Sequence, residues 1–268
     1  MSRALRIVHE TSYTYPEGLS HAVLQVRLSP KSSEGQKIEN WQCEIEGGKK
    51  EFSFMDHNGN LVFLVTSLPD TTEIKIICMG SVNIFDQNGI AGYAQSLSPE
   101  WLYKNQTSLT ELGTLTNKFT DECAGQPGNV SWLHDLSSAI RRQIEYKLAE
   151  TEVNSSAVTA VRKGLGVCQD HAHIFIGCCR SLGIPSRYVS GYLLLDNYVE
   201  QTAMHAWAEA FIPSLGWVGF DVSNGVAPDS KYLRIAQGRD YSDVAPIKGS
   251  VLGGLYEVMS VKLIVQQQ

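Results

Sequence analysis

Cys168 is the residue around which chemistry can be organised. It follows a glycine-broken turn (Gly164, Gly166) and precedes a run in which Ala172, Phe175, Ile176, Cys179 and Leu182 recur at intervals of three and four. That spacing is one face of an α-helix, and Gly183 and Pro185 end it. Cys168 is therefore expected at a helix N-terminus, where unpaired backbone N–H groups and the macrodipole favour a thiolate. The same N–H groups can hold the oxyanion of an acyl-transfer intermediate. A packing cysteine that opens a core helix would carry the same local pattern, so the residue needs partners.

His205 supplies a base. It opens His205-Ala206-Trp207-Ala208-Glu209-Ala210-Phe211-Ile212, whose small and large side chains alternate as in a strand. The turn Pro213-Ser214-Leu215-Gly216 leads into a second strand, Trp217-Val218-Gly219-Phe220-Asp221-Val222. Cysteine, then histidine, then an acid on the neighbouring strand is the nucleophile, base and orienter of thiol acyl transfer. Two competing arrangements are weaker. Cys168, Asp170, His171 and His173 cluster in sequence, which invites a metal site. On a helix, however, residues two apart project about 200° from one another, so His171 and His173 cannot share an ion. His171 lies three residues from Cys168 and is a second candidate base; His205 is preferred because Asp221 can fix its tautomer and stabilise the imidazolium. His173 is expected to be structural, and Gln169 and Asp170 either line the pocket or cap the helix.

The segments Gly166-Val167-Cys168-Gln169-Asp170-His171-Ala172-His173, Arg180 to Tyr192, His205-Ala206-Trp207-Ala208-Glu209 and Gly216-Trp217-Val218-Gly219-Phe220-Asp221 resemble the bacterial transglutaminase-like proteins, many of them regarded as cysteine proteases. The resemblance spans roughly residues 125 to 245. It implies a papain-like core with Cys168 as nucleophile, His205 as base and Asp221 as orienter. The motifs are specific to the superfamily and not to one reaction.

The elements that must position these residues follow the hydrophobic pattern. Residues 1–90 read as β-rich, with short alternating segments at 9–16, 22–28, 41–46, 61–65 and 73–79, broken by Pro16, Pro30, Gly47-Gly48 and Asp56-His57-Asn58-Gly59-Asn60. Leu28-Ser29-Pro30 and Asn58-Gly59-Asn60 resemble the N-terminal domain of the same family. This module is expected to contribute little to the cleft. Residues 91–127 connect it to the rest, with a short amphipathic helix marked by Leu109, Leu112, Leu115 and Phe119. Residues 128–268 form the expected catalytic domain. It opens with a helix carrying Trp132, Leu133, Leu136 and Ile140, for which Ser131 is the expected N-cap. A second helix through Val158 and Val161 is capped by Ser155 or Ser156 and stopped by Gly164. The segment 238–244 reads as a turn held by Arg–Asp pairs, and a last strand from Leu255 to Val265 packs back on a sheet. The fold class is α+β: a β-rich module, then a papain-like core whose nucleophile-bearing helix lies on an antiparallel sheet.

The hairpin register decides where Asp221 points. If Ile212 pairs with Gly216, Asp221 is the diagonal neighbour of His205 on one side of the sheet, within hydrogen-bonding reach. If Ile212 pairs with Trp217, the one-residue slip turns Asp221 away and puts Asn224 opposite His205. The first register is expected, because the resemblance places the acid at Asp221.

Composition bounds the function. A chain of 268 residues with 43% hydrophobic residues can bury a substantial core, and a net charge of -6 argues against nucleic acid as a partner. No run of 18 apolar residues suggests a membrane span, and the first residues lack the apolar stretch of a signal peptide. A cytoplasmic protein is expected. The six cysteines are scattered and are expected to be reduced. No calcium loop is present, and neither metal nor cofactor is expected. The expected partner is the substrate, a peptide, protein or small amide; the oligomeric state is left open. The reaction expected is hydrolysis of an amide or peptide bond. The alternatives are transfer to an amine, as in a transglutaminase, and a non-catalytic interaction module that kept the fold.

Overall fold

The computed structural model describes residues 2–93, 98–196, 199–254 and 256–268. The alternating segments of the N-terminal part form six strands: β1 (Ser2–Thr14), β2 (Leu19–Ser29), β3 (Gln36–Glu46), β4 (Gly48–Met55), β5 (Leu61–Ser67) and β6 (Glu73–Phe85). They divide between two antiparallel sheets that close over Leu24, Val26, Val65, Ile74, Ile76 and Cys78. The strand β4 has no counterpart among the expected segments. It is an edge strand exposed along nearly its whole length, so its sequence carries no buried-face alternation.

The remaining strands are β7 (Ile90–Gly92), β8 (Glu145–Tyr146), β9 (Leu165–Gly166), β10 (Ser186–Leu193), β11 (Glu200–Gln201), β12 (His205–Ile212), β13 (Gly216–Phe220), β14 (Tyr232–Gly238), β15 (Ile247–Gly253) and β16 (Val258–Gln267). The helices are α1 (Asn117–Thr120), α2 (Val130–Gln143), α3 (Ala157–Lys163), α4 (Cys168–Ser181) and α5 (Tyr241–Val244). An antiparallel sheet in the order β14-β10-β12-β13-β7 carries α4 against β10 and β12. Phe175, Ile176, Cys179, Ala206, Ala208 and Phe220 belong to the buried cluster between them. The fold is α+β. Among the described residues no helix is long and apolar enough to cross a membrane.

Helix α4 is more deeply buried than one apolar stripe requires, since every residue from Asp170 to Arg180 is buried. Its one guanidinium is satisfied internally. Arg180 donates to the carbonyls of Tyr103, Ser186 and Arg239 at 2.7–3.2 Å, tying the connecting segment, the sheet and the 238–244 turn to the helix end.

Several expectations are corrected by local physics. The amphipathic helix expected from Leu109 is only α1, preceded by a 3₁₀ turn over Gly113–Thr116; Gly113, at φ +56°, breaks the run. The N-cap of α2 is Asn129, whose side chain accepts from the Trp132 N–H at 2.8 Å, while Ser131 is already inside the first turn. Ser156 caps α3. Cys43 and Cys78 are not free thiols: they stand directly opposite each other on β3 and β6 and form a disulfide, leaving Cys123, Cys168, Cys178 and Cys179 free.

The C-terminal segment returns to the first sheet. The strand β16 pairs with β1 from Leu5↔Gln267 to Thr14↔Val258, and β15 pairs with β2. Leu255, expected to open the last strand, lies outside the described residues. On its other edge β16 pairs with β11, through Glu200↔Ile264 and Gln201↔Leu263. Four residues after Gln201 comes His205.

Candidate active site

Cys168 is positioned by a parallel ribbon and a cap. Tyr146 of β8 pairs with Gly166 of β9, and the Lys147 N–H donates to the Gly166 carbonyl at 2.9 Å. Helix α4 begins two residues later. Its N-cap, Val167, has no polar side chain, so Asp170 serves in its place: its Oδ2 accepts from the Val167 N–H at 2.9 Å and from the Thr151 hydroxyl at 2.7 Å. Gly166 permits this approach, because a Cβ there would lie 2.7 Å from the Asp170 Cβ. Asp170 is thus a structural cap. The first-turn N–H groups, including that of Cys168, have no helical acceptor and are available to an anion.

The hairpin carries the second part of the site. Ile212 pairs with Gly216 and Ala208 with Phe220, which is the register that puts Asp221 on the side of His205. The Asp221 carboxylate Oδ2 lies 2.7 Å from His205 Nε2. Asp221 is fully buried and accepts from the Asn224 side chain at 2.7 Å, the Asn224 backbone N–H at 3.2 Å and the Tyr232 hydroxyl at 2.7 Å. Burial raises the proton affinity of this carboxyl, but the bonds from His205, Asn224 and Tyr232 outweigh it and hold its pKa below the usual aspartate value. Asn224 therefore supports Asp221 and is not an orienter of His205. Nothing in the hairpin sequence points to Tyr232, which comes from β14.

Cys168 is the other group that acts on the His205 ring. With Nε2 on Asp221, the nitrogen left for the thiol is Nδ1. Burial disfavours protonation of His205, yet the interactions with Asp221 and Cys168 overcome it and lift its pKa to about 10. Trp207 lies over one face of the ring, with centroids 6.4 Å apart, and Tyr232 lies 5.9 Å away. Cys168, His205 and Asp221 are thus brought to one site, with His205 bonded to Asp221 and interacting with Cys168.

The other histidines are engaged elsewhere. His171 Nε2 lies 3.1 Å from the Ile144 carbonyl, which can only accept, so Nε2 carries the proton and Nδ1 accepts from the Ser223 hydroxyl at 2.8 Å. With both nitrogens occupied and burial lowering its pKa, His171 is not placed to serve Cys168. His173 is fully buried, accepts from the Tyr241 N–H at 3.2 Å, and is held to a pKa of about 4 by burial.

The reactive group opens on a cleft of about 1090 Å³. Tyr146 and Tyr188 line it beside Cys168. Burial, and then the charge at Cys168, push Tyr146 up to about 12 and Tyr188 well above the usual tyrosine range, so both phenols stay protonated donors. Tyr241 and Pro246, around the 238–244 turn, also line the cleft; the turn is held by an Arg239–Asp243 ion pair at 2.9 Å. His9, Thr11 and Tyr13 of β1 line it too, against the expectation that the N-terminal module contributes little. Their odd-numbered spacing along one strand is the signal that could have marked them as a single face.

Comparison with known proteins identifies the family. The Transglutaminase-like superfamily matches residues 117–222, and the Bacterial transglutaminase-like N-terminal region matches residues 5–83. An uncharacterized protein of Mycobacterium tuberculosis is 34% identical over 280 residues, covering 92% of this chain and 87% of that protein. The crystal structure of a candidate cysteine protease from Cytophaga hutchinsonii superposes with a TM-score of 0.78 at 22% identity, covering 100% of this chain and 91% of that one. A protein-glutamine gamma-glutamyltransferase of Pseudomonas aeruginosa is 38% identical over 80 residues, 27% of this chain and 11% of that protein.

Proposed function

The chain belongs to the bacterial branch of the transglutaminase-like superfamily, and from that premise we propose that it is a cysteine-dependent amidase or peptidase acting through Cys168, His205 and Asp221. The observation that carries this reading is His205, which bonds the buried Asp221 carboxylate through Nε2 and shares the cleft with Cys168, the other group acting on its ring.

In the proposed reaction the Cys168 proton moves to His205 Nδ1, and the sulfur attacks the amide carbonyl carbon. The oxyanion that forms is held by the Cys168 N–H at the head of α4, with the flanking phenols of Tyr146 and Tyr188 as candidate second donors. As the C–N bond breaks, His205 returns its proton to the leaving amine, giving a thioester on Cys168. His205, now neutral, accepts a proton from the incoming water; the tetrahedral adduct collapses to the acid and the free thiol. Asp221 keeps the imidazole in the tautomer this cycle needs.

Water is the acceptor proposed. Cys168 is half-buried at the edge of a wide cleft, which leaves the thioester open to solvent. An amine acceptor is the second reading, supported by the 80-residue similarity to a protein-glutamine gamma-glutamyltransferase. Measuring release of acid and amine from a panel of peptides and amides, with and without an added primary amine, separates the two. Cys168→Ala abolishes turnover under either; activity above about a thousandth of the wild-type level overturns the assignment.

A further inference from the structure

The geometry points to a substrate-selecting role for the N-terminal module: its β1–β16 ribbon is the wall on which a bulky, uncharged apolar side chain of the substrate lies, beside the scissile amide. This rests on Cys168 being the nucleophile.

Side chains alternate along strands, so the odd-numbered residues of β1 and β16 share one face. At one end of the ribbon that face is core: Leu5, Ile7, Leu263 and Val265 are fully buried. Towards the other end the same face turns from core to cleft wall. There His9 stands opposite Leu263, Thr11 opposite Val261 and Tyr13 opposite Met259, and all of these except Leu263 line the Cys168 cleft. Met259 is 58% exposed, an apolar side chain on the inward face with solvent where a core would be. Leu148 and Val153, which are 71% and 55% exposed, also line the cleft. Single exposed apolar residues are ordinary. Three that come from β16 and the loop between β8 and α3 onto the cavity of a half-buried cysteine form a surface built to be covered.

Charge narrows what covers it. Among the described residues no lysine or arginine lines the cleft, and Glu200 is its one carboxylate. The one cationic group the cleft offers, His205, is committed to Asp221, so an acidic substituent lying on the ribbon would be desolvated against Met259 and Val261, which is costly. A leucine- or phenylalanine-like side chain next to the reacting carbonyl fits both the size and the chemistry. The ribbon also steers the base, because β16 pairs with β11 just before His205. The selecting wall and the catalytic strand are therefore fixed to one another.

The test is the rate of Cys168 alkylation by three reagents: iodoacetamide, which needs no side-chain subsite, and two acyl-aminoacyl chloromethyl ketones differing only in leucine or glutamate next to the reactive carbon. Peptide mass mapping identifies the labelled cysteine, and rates are normalised to iodoacetamide. The leucine reagent is expected to react about tenfold or more faster than the glutamate reagent. In Met259→Glu, at an exposed position whose folding is checked by circular dichroism, that ratio falls to about threefold or less; Val261→Glu is the second variant. Equal rates for the two ketones, with iodoacetamide labelling Cys168 normally, overturn the subsite. So does a leucine preference that survives both substitutions, since the selecting surface is then not the ribbon. If iodoacetamide does not favour Cys168 over Cys178 and Cys179, the nucleophile reading itself fails.

Discussion

Replacing Asp221 by asparagine changes one charge and almost no volume, and its effect can be worked from the site. The pKa of His205 is lifted from 6.5 to about 10 despite burial. At about 1.4 kcal/mol per pKa unit, this is on the order of 5 kcal/mol in favour of the imidazolium. Asp221 and Cys168 share that stabilisation, and the burial that opposes it stays when the carboxylate is neutralised. Losing even half costs roughly 2–3 kcal/mol, a factor of about a hundred in kcat for a step that needs a protonated His205. The amide can also donate to Nε2, forcing the ring proton onto the nitrogen that must accept from Cys168. Asp221→Asn is therefore expected to lower kcat by about a hundredfold or more at neutral pH. The pH profile gives the sharper reading. The imidazolium exists below the folded-state pKa, so wild-type turnover falls on the alkaline side only as pH passes about 10. In the variant that limb moves towards neutrality. A variant within about threefold of wild type, with the alkaline limb unmoved, would refute the role given to the carboxylate.

Other consequences can be read directly. Glu209 is buried between Arg187, which has a fully buried side chain at 2.7 Å, and Arg234; Glu209→Gln strands the Arg187 charge and is expected to cost about 3–5 kcal/mol in urea unfolding, and a loss under about 1 kcal/mol contradicts this. His9 and His173 are buried neutral, with burial holding each to a pKa of about 4. Between pH 6.5 and 4 the unfolded chain binds protons that these rings cannot, so stability falls as pH falls, by up to about 3 kcal/mol apiece at pH 4; equal urea midpoints at pH 7 and 4.5 disprove it. Replacing both cleft phenols, Tyr146→Phe with Tyr188→Phe, is expected to lower kcat about a hundredfold with KM little changed; a loss under about threefold assigns the oxyanion to the backbone alone.

What could be read from the sequence depended on how far apart the interacting residues are. The Cys168 helix declares itself through its three- and four-residue spacing and the glycine and proline that end it. The Ile212–Gly216 register, which carries Asp221 to the side of His205, is one of two the turn allows, and only the family resemblance favours it. Contacts set by sheet order were opaque. No local pattern announces that β16 lies beside β1, some 250 residues away, or that Tyr232 reaches back to Asp221. The Cys43–Cys78 pairing is of the same kind: scattered cysteines look unrelated until two strands put them in register. For that reason the contribution of His9, Thr11 and Tyr13 to the cleft emerged only from the fold. Gln169 remained undecided in sequence because its side chain bonds the Val153 carbonyl, a loop contact at 2.7 Å.

The most direct measurement is the mass of the acyl-enzyme. The protein is mixed with the p-nitrophenyl ester of an N-acyl leucine, quenched in acid within the first turnover, and mapped by peptide mass spectrometry. A thioester cycle predicts the acyl group on the Cys168 peptide, its release by hydroxylamine, and its absence from Cys168→Ala. Turnover without an adduct, an adduct on another residue, or an unchanged reaction in Cys168→Ala would contradict it.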